Sequence, residues 1–133
     1  MKPNGVFFTQ GTQASVVATD KFKSQSAINN ASQSGPLLID DGSINSQFNP
    51  RSTNRLIRSG VGVEGQSKVF FAISNEPVNF YDFALFFRDR LKCRSALYLD
   101  GVISVMYAED VERKQTSGDF AAMFAVFENI QKN

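Results

Sequence analysis

The sequence predicts an α+β fold, in which a twisted, mainly antiparallel or mixed sheet is packed by two helices. Three observations carry this prediction. Short strand-like runs are separated by turn residues, one strong helical segment lies between two such runs, and the 133 residues suit a single domain. Hydrophobic residues make up 42% of the chain, which is enough for one core, and 13 of them are phenylalanines.

The strand predictions rest on short apolar runs bounded by Gly, Pro, Asn, Asp and Ser. These runs are 6–8, 15–18, 37–39, 61–63, 68–73, 95–99 and 103–107. The turn Glu64-Gly65-Gln66 separates two of them at close range, which is typical of a hairpin. Asp40-Asp41-Gly42 predicts a second turn, and residues 43–58 are polar and irregular.

Two segments predict helices. Residues 21–31 place Phe22 on the same helical face as two small residues, and Gly35-Pro36 would end that helix. The clearer helix starts at Asn79, a good N-cap, with Asp82 three residues later in a box-like arrangement. Its apolar residues recur at helical spacing up to an end near Lys92: Phe80, Phe83, Ala84, Phe87 and Leu91.

The last part of the chain is less regular. Residues 108–118 predict a charged surface loop. The closing stretch 119–130 permits either a helix or a strand by its periodicity, because alanines and phenylalanines are mixed in it.

Charge and cysteine content narrow the classes of partner and compartment. Fourteen Lys and Arg nearly balance thirteen Asp and Glu, whereas nucleic-acid binding needs a basic excess. The lone Cys93 cannot form an internal disulfide, which favours a reducing compartment. No apolar run reaches the ~20 residues of a membrane span, and the first residues do not read as a signal peptide. We therefore expect a cytoplasmic protein without a nucleic-acid or membrane partner.

The chain contains no histidine, which restricts the chemistry open to it. Nucleophile schemes that pair Ser or Cys with His are excluded. One cysteine and scattered carboxylates make a poor zinc set, so we expect neither a metal nor a cofactor. Carboxylates, hydroxyls, amides and arginines remain as the functional groups.

The stretch ALYLDGVIS, residues 96–104, runs a predicted strand straight into an aspartate. Ligands of sheet-and-helix folds commonly sit where the carboxyl end of a strand meets a loop. Asp100 there is a candidate general base or acceptor for a sugar hydroxyl, and Ser104 lies four residues further on. An Asp-Gly pair is also an ordinary turn, so the structural interpretation stays open beside the functional one.

Three arginines stand close together in the irregular middle of the chain. Arg51, Arg55 and Arg58 lie within eight residues, with no acidic residue among them. Guanidinium groups bind phosphate through paired donors, and Asn54 and Ser59 add further polar groups. The pattern predicts an anion site, and a solvated loop is the alternative.

Several stretches together resemble the phosphodiester glycosidase family, in particular its short bacterial members. They are PNGVFF (3–8), SQSGPLLID (32–40), RSGVGV (58–63), VFFAIS (69–74), VNFYDFALFFRD (78–89), ALYLDGVIS (96–104) and FAAMFAVF (120–127). Their order and spacing match that family over nearly the whole chain. The resemblance implies a cleft that binds a sugar linked through phosphate, and a strand in the closing stretch.

The resemblance also implies site residues. It places Arg58 and Ser59 at the phosphate or sugar, and Asp100, Gly101 and Ser104 in the catalytic cleft. The other walls of that cleft would be formed by Asn4, Gly5, Ser34 and Gly35. We expect residues 1–133 to form one such domain that lacks an N-terminal portion present in other family members.

Two functions follow from the resemblance. One is an enzyme that cleaves the glycosidic bond to a phosphodiester, for which Glu76, Asp82 or Glu109 would supply the second carboxylate. The other is a non-catalytic binder that sequesters a cyclic nucleotide or ADP-ribose-type signal, as viral or mobile-element proteins that counter host defence do. A third interpretation is a domain that binds another protein. We also expect a homo-oligomer, since an incomplete family domain should expose a sheet edge.

Overall fold

The computed structural model describes residues 3–101, 104–107 and 123–127. In chain order, the strands are β1 (Gly5–Gln10), β2 (Gln13–Ala18), β3 (Asn30–Ser34), β4 (Leu37–Asp40), β5 (Ser43–Ile44), β6 (Ser59–Glu64), β7 (Lys68–Ile73) and β8 (Ser95–Asp100). Helix α1 (Phe80–Leu85) continues into a π-helical turn over Phe86–Arg90, and Thr19–Lys21 forms a short 3₁₀ turn.

The strands form two antiparallel sheets. The small sheet has the order β2-β1-β3, and the large sheet has the order β5-β4-β8-β6-β7. The predicted α+β fold with mainly antiparallel strands is confirmed. Within the described residues, one α-helix takes the place of the two that we predicted.

The large sheet carries an apolar core on each of its faces. Phe7, Val16, Leu37, Val61 and Leu97 are among the buried residues between the two sheets. A second cluster fills the space between the large sheet and α1; it includes Leu38, Ile39, Phe83, Phe87 and Ala96. The fold is therefore built in three layers, with the large sheet in the middle.

Helix α1 begins as the sequence predicts. The Asn79 side chain accepts a hydrogen bond from the backbone N–H of Asp82 at 2.8 Å, which satisfies one of the free donors of the first turn. The Asp82 carboxylate forms an ion pair with Arg55 at 3.1 Å. The helix ends before Lys92, whose φ of 57° is the left-handed conformation that usually favours glycine.

Glycines on β6 let the helix approach the large sheet closely. A Cβ built on Gly62 would lie 2.5 Å from Phe87 and 2.7 Å from the Cys93 sulfur. Gly60 faces Phe83 and Phe87 at just over 3 Å in the same way. These two glycines make room for aromatic side chains of the helical segment.

The helix predicted over residues 21–31 is wrong. After the 3₁₀ turn the chain is irregular, and β3 begins at Asn30 and pairs with β1. Phe22 contacts Phe8 at 5.5 Å between ring centroids, and the Asn29 backbone N–H donates to the Thr9 carbonyl. The helical face had only one large apolar residue, so pairing with β1 outweighs its weak helical preference.

Two predictions at the end of the chain change or lie outside the described residues. The strand predicted over 103–107 is absent from residues 104–107, where the Ser104 side chain is hydrogen-bonded to Ser59 and Asp100. Residue 103 and the loop 108–118 lie outside the described residues. Residues 123–127 form neither helix nor strand, and Phe124 contacts Phe7 and Phe71 at 6.0 and 5.3 Å.

Within the described ranges, no helix has both the length and the apolar character that crossing a bilayer requires.

Candidate functional site

Asp100 is the last residue of β8 and follows a bulge in the pairing with β6. Gly60 pairs with Tyr98 while Ser59 pairs with Asp100, so Leu99 is the extra residue. A bulge bends the strand and redirects the side chains beside it. Asp100 is exposed, and its Oδ1 accepts a hydrogen bond from the Gly101 N–H at 2.6 Å, which closes a tight turn.

Two serine hydroxyls hold the backbone of Asp100 in place. The Ser59 Oγ donates to the Asp100 carbonyl at 2.9 Å and accepts from the Asp100 N–H at 3.2 Å. The Ser104 Oγ lies 2.8 Å from the Ser59 Oγ and 3.0 Å from the Asp100 carbonyl, so its proton is shared between them. Ser59 and Ser104 therefore meet at Asp100.

Residues of the small sheet reach the same end of β8. The Ser34 hydroxyl donates to the Leu99 carbonyl at 3.1 Å, one residue before Asp100. The Asn4 Oδ1 accepts from the Leu37 N–H at 2.6 Å, and the Asn4 N–H donates to the Ser34 carbonyl. Gly35 packs against Asn4, where a Cβ would lie 2.8 Å from the Asn4 nitrogen. Two predicted walls of the site are thus linked by hydrogen bonds.

Gly5 explains how the two sheets come together at this point. A Cβ on Gly5 would run into the side chain of Leu97 and lie 3.1 Å from Leu37. The small sheet therefore rests directly on β4 and β8 close to the Asp100 turn. Gly5 has a packing role that the sequence did not reveal, beside its predicted place in the wall.

Arg58 lies beneath this turn and is only 1% exposed. Its Nε donates to the Val78 carbonyl at 2.8 Å, and its Nη2 contacts the Asn54 carbonyl and side chain at 3.2 and 3.3 Å. The guanidinium stacks over the Phe80 ring at 3.7 Å. Burial lowers its pKa, and neighbouring Tyr98 acts in the opposite direction.

The three arginines have three different environments. Arg58 is buried, Arg55 is exposed and paired with Asp82 of α1, and Arg51 is exposed. The acidic partner of Arg55 comes from 27 residues further along the chain, so local sequence could not reveal it. The loop that carries them is fixed from below, because the buried Asn79 amide donates to the carbonyls of Pro50 and Ser52.

Tyr98 is a residue of this region that the sequence analysis missed. Its hydroxyl occupies the space in which a Cβ of Gly101 would lie, and its ring meets Phe80 edge-on at 5.0 Å. Burial raises the pKa of the Tyr98 phenol; Arg58 lowers it and Asp100 raises it further. The sequence held one signal for Tyr98. Side chains alternate between the two faces of a regular strand, so a residue two positions before Asp100 is expected on the same face as Asp100.

Three other residues were candidates for the second carboxylate. Glu76 is exposed, Asp82 is paired with Arg55, and Glu109 lies outside the described residues. Among the residues that the structure describes, no three His, Cys, Asp or Glu side chains are grouped to hold a metal ion. A cavity of about 180 Å³ on the outer face of the small sheet, beside Phe8 and Phe22, contains none of the predicted site residues.

Comparison with known proteins identifies the family. A family model described as phosphodiester glycosidase matches residues 2–127. The uncharacterized protein YigE of Escherichia coli (strain K12) is 40% identical over 107 residues, which are 80% of this chain and 42% of that protein. This chain thus spans less than half the length of that curated relative.

A solved structure also aligns, that of a hypothetical protein from Synechocystis. It is 17% identical, with a TM-score of 0.45 over 75% of this chain and 28% of that one, which is too distant to support an argument. The family assignment depends on the family model, which spans nearly the whole chain. On that match, this chain belongs to the phosphodiester glycosidase family.

Proposed function

We propose that the Asp100 turn binds a sugar linked through phosphate. We also propose that Asp100 is the general base that activates water for hydrolysis of the glycosidic bond. The observation that carries the proposal is the hydrogen-bonded frame around an exposed carboxylate. Ser59 and Ser104 hold the Asp100 backbone, and Ser34 holds the neighbouring Leu99 carbonyl. Such a frame fixes a functional group within the narrow tolerance that catalysis needs.

The leaving group reduces the need for a second carboxylate. Ordinary glycoside hydrolysis expels an alcohol and uses one carboxylic acid to protonate it. Here the bond between the anomeric carbon and the phosphate oxygen breaks, and the phosphate leaves with the electron pair. A phosphate monoester has its second pKa near ~6, so it departs as a stable anion at neutral pH. Water adds to the anomeric carbon, and Asp100 accepts its proton.

The loop before β6 carries two exposed arginines and ends at this turn. The Ile57 carbonyl lies 3.1 Å from the position of a Gly101 Cβ, so the end of the loop touches the turn. Arg51 and Arg55 are exposed on the same loop, with Asn54 between them. We expect these groups to attract the anionic ligand, while Asn4, Ser34 and Gly35 border the sugar.

The proposal is tested by incubating the protein with UDP-N-acetylglucosamine, a sugar linked through an anionic phosphate, and then denaturing it. We expect free sugar and UDP from the native sequence, and at least a hundredfold less from Asp100→Asn. Asp89→Asn is the matched control, because Asp89 is exposed and is paired with its neighbour Arg88. Equal release of sugar by Asp100→Asn and the native chain would refute the catalytic role.

A non-catalytic binder is the alternative, and one observation favours it. Asp82 is paired with Arg55, so this candidate for a second carboxylate already has a structural partner. In that case the protein holds a cyclic nucleotide or ADP-ribose-type ligand and releases it intact after denaturation. The same experiment with ADP-ribose and a cyclic dinucleotide therefore separates the two functions.

Self-association belongs to the same proposal. In the part of the chain that the structure describes, β7 is the outer strand of the large sheet, and its sequence KVFFAI is mostly apolar. Outer strands of this kind pair with other chains. Light scattering should report a dimer or larger assembly, and a monomer at all concentrations would remove this part of the proposal.

A further inference from the structure

The carboxylate of the proposed site and the buried Arg58 are connected through one side chain, Tyr98. Arg58 reaches the Tyr98 ring at 5.6 Å from the ring centre and the Phe80 ring at 3.7 Å. On the other side, the Tyr98 hydroxyl fills the space beside the Gly101 Cα, directly under the turn that presents Asp100. Tyr98 therefore contacts Arg58 on one side and the Asp100 turn on the other.

Arg58 is poorly placed to touch a ligand itself. It is 1% exposed, and its guanidinium donates hydrogen bonds to Val78 and Asn54. Its effect on anything bound at the turn must therefore pass through a neighbour. A neighbour that contacts the turn through a hydroxyl can pass on to the turn both the position of Arg58 and the effect of its charge.

We infer that Tyr98 is the positioning residue of the Asp100 turn, and that Arg58 acts on the bound ligand only through it. This inference rests on the proposed function. The Phe80 ring and the Arg58 guanidinium hold the Tyr98 phenol in one place. The phenol hydroxyl in turn fixes the position of the Gly101 backbone and the orientation of the Asp100 carboxylate. Gly101 is required because any side chain there would displace the hydroxyl.

A double-mutant cycle on ligand binding is the first test. Tyr98→Phe should weaken binding of UDP-N-acetylglucosamine about tenfold, and Arg58→Lys should weaken it by a similar factor. The double variant should be no weaker than Tyr98→Phe alone, because both changes interrupt the same connection. Multiplying effects would show that Arg58 acts independently of Tyr98 and would overturn the inference. Tyr81→Phe on α1 is the matched control and should bind normally.

The second test needs no ligand, so it remains informative if the proposed function fails. The chain has three tyrosines and no tryptophan, so near-ultraviolet absorbance follows phenol ionisation, and the difference from Tyr98→Phe isolates Tyr98. The charged groups that act on this phenol are Arg58, just before β6, and Asp100 on its own strand, while α1 contributes the Phe80 ring.

The expected shifts have opposite signs. Asp100→Asn should lower the titration midpoint of Tyr98, because it removes a nearby negative charge, and Arg58→Gln should raise it. If the glutamine variant fails to fold, Arg58→Lys takes its place. It keeps the positive charge, so the titration midpoint of Tyr98 should change less. A midpoint that stays fixed in Asp100→Asn would show that the phenol and the carboxylate are not coupled, and would overturn the inference even in a protein that binds the ligand.

Discussion

The face of β6 and β8 that packs against α1 differs in chemistry from the end of β8. Towards α1, the large sheet is apolar, and glycines on β6 admit the rings of Phe83 and Phe87. At the end of β8, hydroxyls and amides replace apolar contacts, and a carboxylate faces solvent. The first region gains its stability from buried area, whereas the second uses hydrogen bonds to fix directions.

The comparison shows that glycine has a different structural role in each of the two regions. Gly62 is required by a phenyl ring and a sulfur that cannot move far, because both are buried. Gly101 faces the Tyr98 hydroxyl and the Ile57 carbonyl, so a side chain there would displace the turn that carries Asp100 rather than the apolar core. Changes in the packed region should therefore act on stability, and changes at the strand end should act on the ligand.

The largest effect is expected from Phe87→Ala. Phe87 is completely buried between α1 and β6, so its removal leaves a cavity and should cost about 3–5 kcal/mol. Urea unfolding followed by circular dichroism measures the loss. Phe86→Ala is the matched control on the same helical turn, because Phe86 is 43% exposed. Similar losses for both variants would contradict the packing described for α1.

Two alanine substitutions compare the regions directly. Gly62→Ala forces a Cβ against Phe87 and Cys93 and should cost about 1–3 kcal/mol of stability. Gly101→Ala meets the Tyr98 hydroxyl at the end of the strand and not the apolar core, so it should cost less stability while it reduces binding of UDP-N-acetylglucosamine more. Thermal unfolding and calorimetric titration of both variants provide the measurements. The comparison fails if Gly101→Ala is the less stable of the two.

A smaller loss of stability is expected from Ser59→Ala. It removes the hydroxyl that bonds both backbone groups of Asp100 and should cost about 1 kcal/mol. Its effect on turnover should be larger than its effect on folding, because the carboxylate loses its fixed direction. Ser43→Ala, in the short exposed end of β5, is the control. A Ser59→Ala variant with normal turnover would mean that the serine frame is structural.

The effect that is smallest at neutral pH is a pH dependence in the packed region, which appears only in alkaline solution. Burial raises the pKa of the Cys93 thiol from its ordinary 9.0 to about 11, and Glu64 acts in the same direction. Above pH 9 the unfolded chain loses this proton before the folded one does, so the contribution to stability falls as pH rises from 9 towards 11. Cys93→Ala should show a shallower decline in that window in chemical unfolding. An unchanged slope would indicate that the thiol ionises normally in the folded protein.

Local patterns predicted the parts of the fold that local chemistry determines. The hairpin of β6 and β7, the Asn79 cap and the Asp100-Gly101 turn each depend on a few neighbouring residues, and all three are present. The helix predicted over residues 21–31 was wrong because the end of this segment pairs with a strand that is distant in sequence. Periodicity cannot show that Asn30–Ser34 pairs with β1.

The resemblance groups Asn4, Ser34, Ser59 and Asp100 in one site, and their shared role there stays a prediction. Hydrogen bonds connect Asn4 with Ser34 and Ser59 with Asp100. The burial of Arg58 and the ion pair of Arg55 could not be read from sequence. Both depend on Phe80 and Asp82 of α1, more than 20 residues away.

Amide chemical-shift mapping with UDP-N-acetylglucosamine tests the location of the proposed site most directly. The account predicts that the largest changes fall on the N–H groups of Ser59, Asp100 and Gly101, with smaller ones at Asn4 and Ser34. Changes confined to the outer face of the small sheet, around Phe8 and Phe22, would contradict it and would place the ligand in the other cavity.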